Sequence, residues 1–96
     1  MGIKQTEQKG INMLRAKVYI SLKETVVDPQ GLAVKNALGS LNYEQEIEEV
    51  RVGKLIDIKL NISNKERAEQ IIDQMCKKLL SNPVIEDYSF TLEEAE

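Results

Sequence analysis

There is no histidine among the 96 residues, and only one cysteine, Cys76. Without imidazole and with a single thiol, most zinc sites, Ser-His and Cys-His nucleophile pairs and any disulfide framework are excluded. A lone cysteine fits a reducing cytoplasm. No apolar run approaches the roughly 18–20 residues that a membrane span needs. The polar opening MGIKQTEQKGINM has no signal-peptide core. Positive charge does not predominate either, since 13 Lys and Arg stand against 16 Asp and Glu. The net charge of −3 argues against a sequence-independent grip on nucleic acid, which draws its affinity from Lys and Arg on phosphates.

What is present is 42% apolar residues, ordinary for a globular domain and too many for disorder. Residues 1–13 read as a flexible leader, with Met13 as an alternative start. Residues 14–92 read as one domain, and 93–96 as an acidic, solvated tail. A chain this short buries only about 60–65% of its unfolded surface, so it gains from a partner surface.

Alternation is faultless in LRAKVYISLK. Leu14, Ala16, Val18, Ile20 and Leu22 point one way, and Arg15, Lys17, Tyr19, Ser21 and Lys23 the other. That is a half-buried strand. A helix follows, with Asp28 as N-cap, Pro29 in its first turn, and Val34, Ala37, Leu38 and Leu41 on one face. It is expected to end near Asn42, which tolerates the left-handed conformation. EIEEVRVGKLIDIKLNI reads as two strands joined by a type II′ turn at Gly53-Lys54. Ser63 and Glu66 form a capping box for a second helix striped with Ala68, Ile71, Ile72, Met75, Leu79 and Leu80. Pro83 stops that helix near Ser81. VIEDYSFTL then alternates Tyr88, Phe90 and Leu92 against Asp87, Ser89 and Thr91.

The order is strand, helix, strand, strand, helix, strand. One apolar face per strand and one stripe per helix predict an α+β two-layer sandwich of ferredoxin-like order. It has a four-stranded antiparallel sheet with both helices on one face. The far face is polar except for Tyr19, Leu55 and Ile85, a candidate dimer face.

Many functions use this topology, and each needs its own residues. An RNA-recognition module stacks bases on strand aromatics, but KLIDIKL has none and the first strand only Tyr19. Metal transport needs closely spaced thiols, and Cys76 stands alone as a structural cysteine. A phosphate loop at Gly53-Lys54 fails because Leu55 follows the lysine. The adjacent carboxylates Glu48-Glu49 and Glu86-Asp87 lie on strands, where neighbours point to opposite faces. No catalytic, cofactor-binding or metal residue is therefore assigned. Three turns with strong stereochemical demands remain: Asp28-Pro29-Gln30-Gly31, Gly53-Lys54 and Asn82-Pro83.

With those turns, the strings D-P-Q-G, V-R-V-G-K and N-P-V-I-E-D-Y at their separations resemble the PurS family. That family is the small subunit of bacterial and archaeal phosphoribosylformylglycinamidine synthase. The resemblance covers residues 16–92. It departs at Leu55, where the family often has an aromatic, and in the extra leader. It implies a non-catalytic subunit of an enzyme that consumes ATP, glutamine and formylglycinamide ribonucleotide in purine biosynthesis. The assembled enzyme uses ATP and magnesium, and this subunit binds neither. Implied partners are a second copy (a homodimer or tetramer), a PurL-like large subunit that binds ATP and the ribonucleotide, and a PurQ-like glutaminase. On this reading Gln30, Gly31, Arg51, Lys54, Asn82 and Tyr88 are docking candidates. Gly31 would admit a close backbone, Gln30 would offer an amide, and Arg51 with Lys54 would steer an acidic surface. The rival classes are a small-molecule-sensing regulatory dimer of the same element order and an RNA-binding module.

Overall fold

A computed structural model describes residues 13–95. The leader therefore lies outside the described residues, apart from Met13. Five principal elements follow one another: β1 (Met13–Leu22), α1 (Pro29–Gly39), β2 (Lys54–Leu60), α2 (Lys65–Met75) and β3 (Glu86–Ala95). A π-helical turn, Cys76–Leu80, extends α2.

The sheet is antiparallel and three-stranded, in the order β2-β1-β3. This corrects the expected four-stranded sheet. Residues 47–53 join no strand, and no type II′ hairpin forms at Gly53-Lys54. The physical reason lies in the partners of this stretch. The Val52 N–H donates to the Asp28 carboxylate at 2.7 Å, and the Val50 carbonyl lies against Gly31. The backbone that would pair with β2 is thus engaged at the start of α1.

β1 is the central strand, and its alternation is realised. Leu14, Ala16, Val18 and Ile20 are buried. Register sets Ala16 opposite Ile58 and Leu92, and Val18 opposite Ile56 and Phe90. α2 covers this face with Ala68, Ile72 and, one turn on, Cys76, all fully buried. Each large aliphatic side chain so buried contributes about 1.5–3 kcal/mol. The helix starts one residue later than the capping box implied. The Asn64 side chain, rather than Ser63, accepts from the Arg67 N–H at 2.9 Å. It ends at Ser81, whose hydroxyl and N–H both donate to the Cys76 carbonyl at 3.0 Å.

α1 is a second departure. Asp28 caps it as expected, accepting the Gly31 N–H at 2.9 Å. It ends at Gly39, and Asn42 beyond it adopts the left-handed conformation at φ 72°. Yet it does not lie on the sheet as a second covering helix. Leu32, Val34 and Leu41 are exposed, and the core includes none of its large side chains. The acidic end also differs. Glu93 and Glu94 are rungs of β3 opposite Arg15 and Leu14, since β1 is long enough to receive them, and Lys17 lies 3.5 Å from Glu93.

Candidate functional site

The three demanding turns meet the sheet at one end, where β1 leaves, β2 starts and β3 starts. Asp28 organises this region. Its carboxylate accepts from Gly31 and from Val52, linking the outgoing and returning chains of residues 24–53. The Val52 N–H, and after it the Gly31 N–H, hold this carboxyl below the usual aspartate value, against the opposing effect of burial. Gly31 is buried, and a Cβ there would collide with the Val50 carbonyl oxygen. The close backbone that this glycine admits is the chain's own.

Arg51 is turned inward as well. Its guanidinium donates to the carbonyls of Lys23 at 2.9 Å, Val26 at 3.1 Å and Leu22 at 3.3 Å. One side chain thus satisfies three acceptors of the loop after β1. Lys35 donates to the Glu48 carbonyl at 2.6 Å, on the wall of an open cleft of about 510 Å³. That cleft is lined by Glu24, Val26, Asp28, Leu32, Glu49 and Arg51, among others.

Beside it lies a smaller cleft of about 300 Å³, where Ser21, Gln30, Gly53, Lys54 and Glu86 converge. Gln30 is exposed, as is Lys54, which pairs with Glu86 at 3.7 Å. The other Glu86 oxygen accepts the Asn82 N–H at 2.7 Å, while the Asn82 side chain caps its own turn by accepting from Val84 at 3.0 Å. Glu86 therefore ties the second turn to the third. Sequence reasoning missed it, because on a strand it reads as half of an acidic pair. Its distance of four residues from Asn82 was the available signal.

Tyr88 sits on the buried side of β3, and its hydroxyl donates to Asp73 of α2 at 2.5 Å. That bond, and after it Lys77 at 3.0 Å, holds the Asp73 carboxyl low, and the same bond to Asp73, followed by burial, pushes the Tyr88 phenol up to about 12. Tyr88 thus locks β3 to α2. Cys76 is fully buried between them, and burial, followed by the charge of Asp73, raises its thiol. Such a thiol is a packing group rather than a nucleophile.

On the outer face, Tyr19 lies opposite Leu55 and Ser89 in register, with Tyr19 45% and Leu55 57% exposed. Ile85 lies apart from them, at the end of the sheet. Its carbonyl accepts from the Lys23 N–H at 2.9 Å. Among the described residues no group of three or more His, Cys, Asp or Glu could hold a metal ion. No described helix is long and apolar enough to cross a membrane.

A three-stranded antiparallel sheet covered by α2, with exposed turns braced from within at one end, defines a small α+β domain. The chain belongs to the PurS family, described as phosphoribosylformylglycinamidine (FGAM) synthase, which matches residues 15–94. It is 46% identical over 82 residues to the phosphoribosylformylglycinamidine synthase subunit PurS of Bacillus subtilis strain 168, covering 85% of this chain and 95% of that one. The crystal structure of Methanocaldococcus jannaschii PurS, at 40% identity, aligns with a TM-score of 0.76 over 86% of this chain and 99% of that one. A chain in the structure of PurLQS from Thermotoga maritima, at 27% identity, aligns with a TM-score of 0.75 over 88% and 100%.

Proposed function

We propose that this chain is the non-catalytic small subunit of a three-subunit phosphoribosylformylglycinamidine synthase of purine biosynthesis. It bridges a PurL-like subunit that binds ATP and the ribonucleotide to a PurQ-like glutaminase, and so supports ammonia transfer between them. The observation that carries this reading is the likeness, over the full length of the matched chain, to a member of the PurLQS structure. Magnesium and ATP serve the assembled enzyme through the other subunits, in the cytoplasm.

Docking falls to the end of the sheet where Gln30, Lys54 and Asn82 present exposed groups around Glu86. Gly31, Arg51 and Tyr88 act from beneath by fixing the chain on which those groups sit. Tyr19 and Leu55, with Ile85 at the rim, offer a self-association surface on the outer face.

Glutamine-dependent amidine formation by PurL-like and PurQ-like subunits, reconstituted with and without this chain, tests the role. The expected result is activity only when all three are present, and no turnover by this chain alone. Equal activity without it refutes the bridging role. A paired change of Gln30→Ala and Lys54→Glu is expected to weaken co-elution with the larger subunits at unchanged circular dichroism.

A further inference from the structure

The apolar stripe of α2 does not end as its periodicity directs. Continued as an α-helix at ~100° per residue, α2 would set Leu79 about 20° around the axis from Ile72. Ile72 is fully buried in the core. Leu79 is instead 81% exposed, and Leu80 packs half-buried against the core in its place. The cause is the π-helical turn Cys76–Leu80. Its i→i+5 ring encloses one more residue than an α-helical ring, so the side chains after Cys76 fall behind the stripe. Ser81 locks that ring. It is buried, and its N–H and hydroxyl both donate to the Cys76 carbonyl, five residues back, at 3.0 Å.

A second apolar side chain is held out on the turn that follows. Asn82 braces this turn, its side chain accepting from the Val84 N–H at 3.0 Å. Its carbonyl accepts from the N–H groups of Ile85 at 3.2 Å and Glu86 at 2.7 Å. Val84 is 78% exposed, so Leu79 and Val84 are the two most exposed large apolar side chains among the described residues. A lone exposed leucine needs no explanation. One turned out of its own buried stripe by a serine-locked ring does. The charge beside the pair is also uneven. Asp73 is matched by Lys77 at 3.0 Å, Glu86 by Lys54 at 3.7 Å and Asp87 by Lys23 at 2.8 Å. Lys78, next to Leu79, has no ion pair among the described residues. The uncompensated charge at this corner is therefore positive.

We propose that Leu79 and Val84 are the apolar anchors by which this chain docks on one of the two larger subunits, in an apolar notch whose rim carries carboxylates facing Lys78. The proposal rests on the synthase reading and names the chemistry of the surface that this subunit meets. Asn82, already placed in docking, lies between the two anchors in sequence and fixes the second of them. Anchors held in place beforehand lose little freedom on binding, and Lys78 speeds the approach of an acidic surface.

The test is capture of the PurL-like and PurQ-like subunits by immobilised full-length chain, with each subunit alone and with both, in the presence of ATP, magnesium and glutamine. Leu79→Ser with Val84→Ser, both at exposed positions, is expected to weaken capture of one subunit about tenfold, the scale of a lost interface anchor. Circular dichroism and the sedimentation mass of the free chain should stay unchanged. Undiminished capture of both subunits by this variant overturns the proposal alone. Capture of neither by the unaltered chain removes the synthase reading, and the proposal with it. A reduced mass of the free variant makes the corner a contact between copies and also overturns the proposal. Lys78→Glu is expected to slow association with that same subunit and to flatten its dependence on salt. An association rate unmoved by that reversal overturns the acidic rim.

Discussion

Ile72 and Leu32 are both large aliphatic side chains on helices, yet the first is fully buried and the second 52% exposed. The contrast separates two regions held by different forces. The sheet with α2 is ordered by apolar burial along β1, reinforced by the Tyr88–Asp73 bond. Residues 24–53 form an arm ordered by polar groups bonded to main chain, namely Asp28, Arg51 and Lys35, and by the close approach at Gly31. Burial is non-directional and shared among many neighbours. Hydrogen bonds to particular carbonyls fix a shape without covering the side chains that shape carries. The body is therefore packed on itself, whereas the arm is shaped by polar bonds and leaves Val27, Leu32, Val34, Leu41 and Tyr43 exposed.

The contrast can be broken most severely at Ile72. Ile72→Ala is expected to lower the unfolding free energy by about 2–5 kcal/mol, read by urea denaturation, and to destabilise both regions together. Gly31→Val should come next, because its side chain meets the Val50 carbonyl, a backbone atom. Amide exchange in α1 is expected to accelerate strongly while β1 and β3 keep their protection. Equal loss in both regions would erase the distinction drawn here. Arg51→Met should be milder, since the carbonyls of Leu22, Lys23 and Val26 can turn partly to water. The same exchange experiment should show a smaller acceleration, confined to the arm.

The smallest effects are in pH dependence. Asp28 and Asp73 have folded-state values below their ordinary ones. The stability they contribute is present above the usual aspartate range and lost as pH falls through their folded values, below about pH 4. Tyr88 is raised to about 12, so its contribution is complete below its ordinary value near 10 and lost as pH climbs toward 12. Tyr88→Phe is expected to abolish that alkaline loss. It should also move the Asp73 titration, followed by carboxyl carbon NMR, upward toward the ordinary value. Lys77 keeps part of the depression.

Much of the body was legible in the residues. β1 could be read from its alternation because a central strand buries one face along its whole length. Asp28-Pro29 announced the start of α1, and Asn42 its left-handed exit, because caps are local chemistry. The fourth strand was misread for an equally physical reason. EEVRV has strand composition, but pairing is a contest among partners distant in sequence, and Asp28 and Gly31 win it. At the candidate site the turns were visible, while the inward turn of Arg51 and Tyr88 was not. An exposed cation and a brace for three carbonyls look alike in a string of letters.

By itself, then, the chain of residues determined the cap that starts α1, which face of β1 is apolar, and the lack of imidazole and of any second thiol. These follow from side-chain periodicity and inventory, which neighbours along the chain suffice to express. Only the tertiary structure decided that the sheet stops at three strands, that Glu86 joins two of the turns, and that α1 stands off the core. Each of those depends on which of several competing long-range bonds is satisfied once the chain has closed on itself.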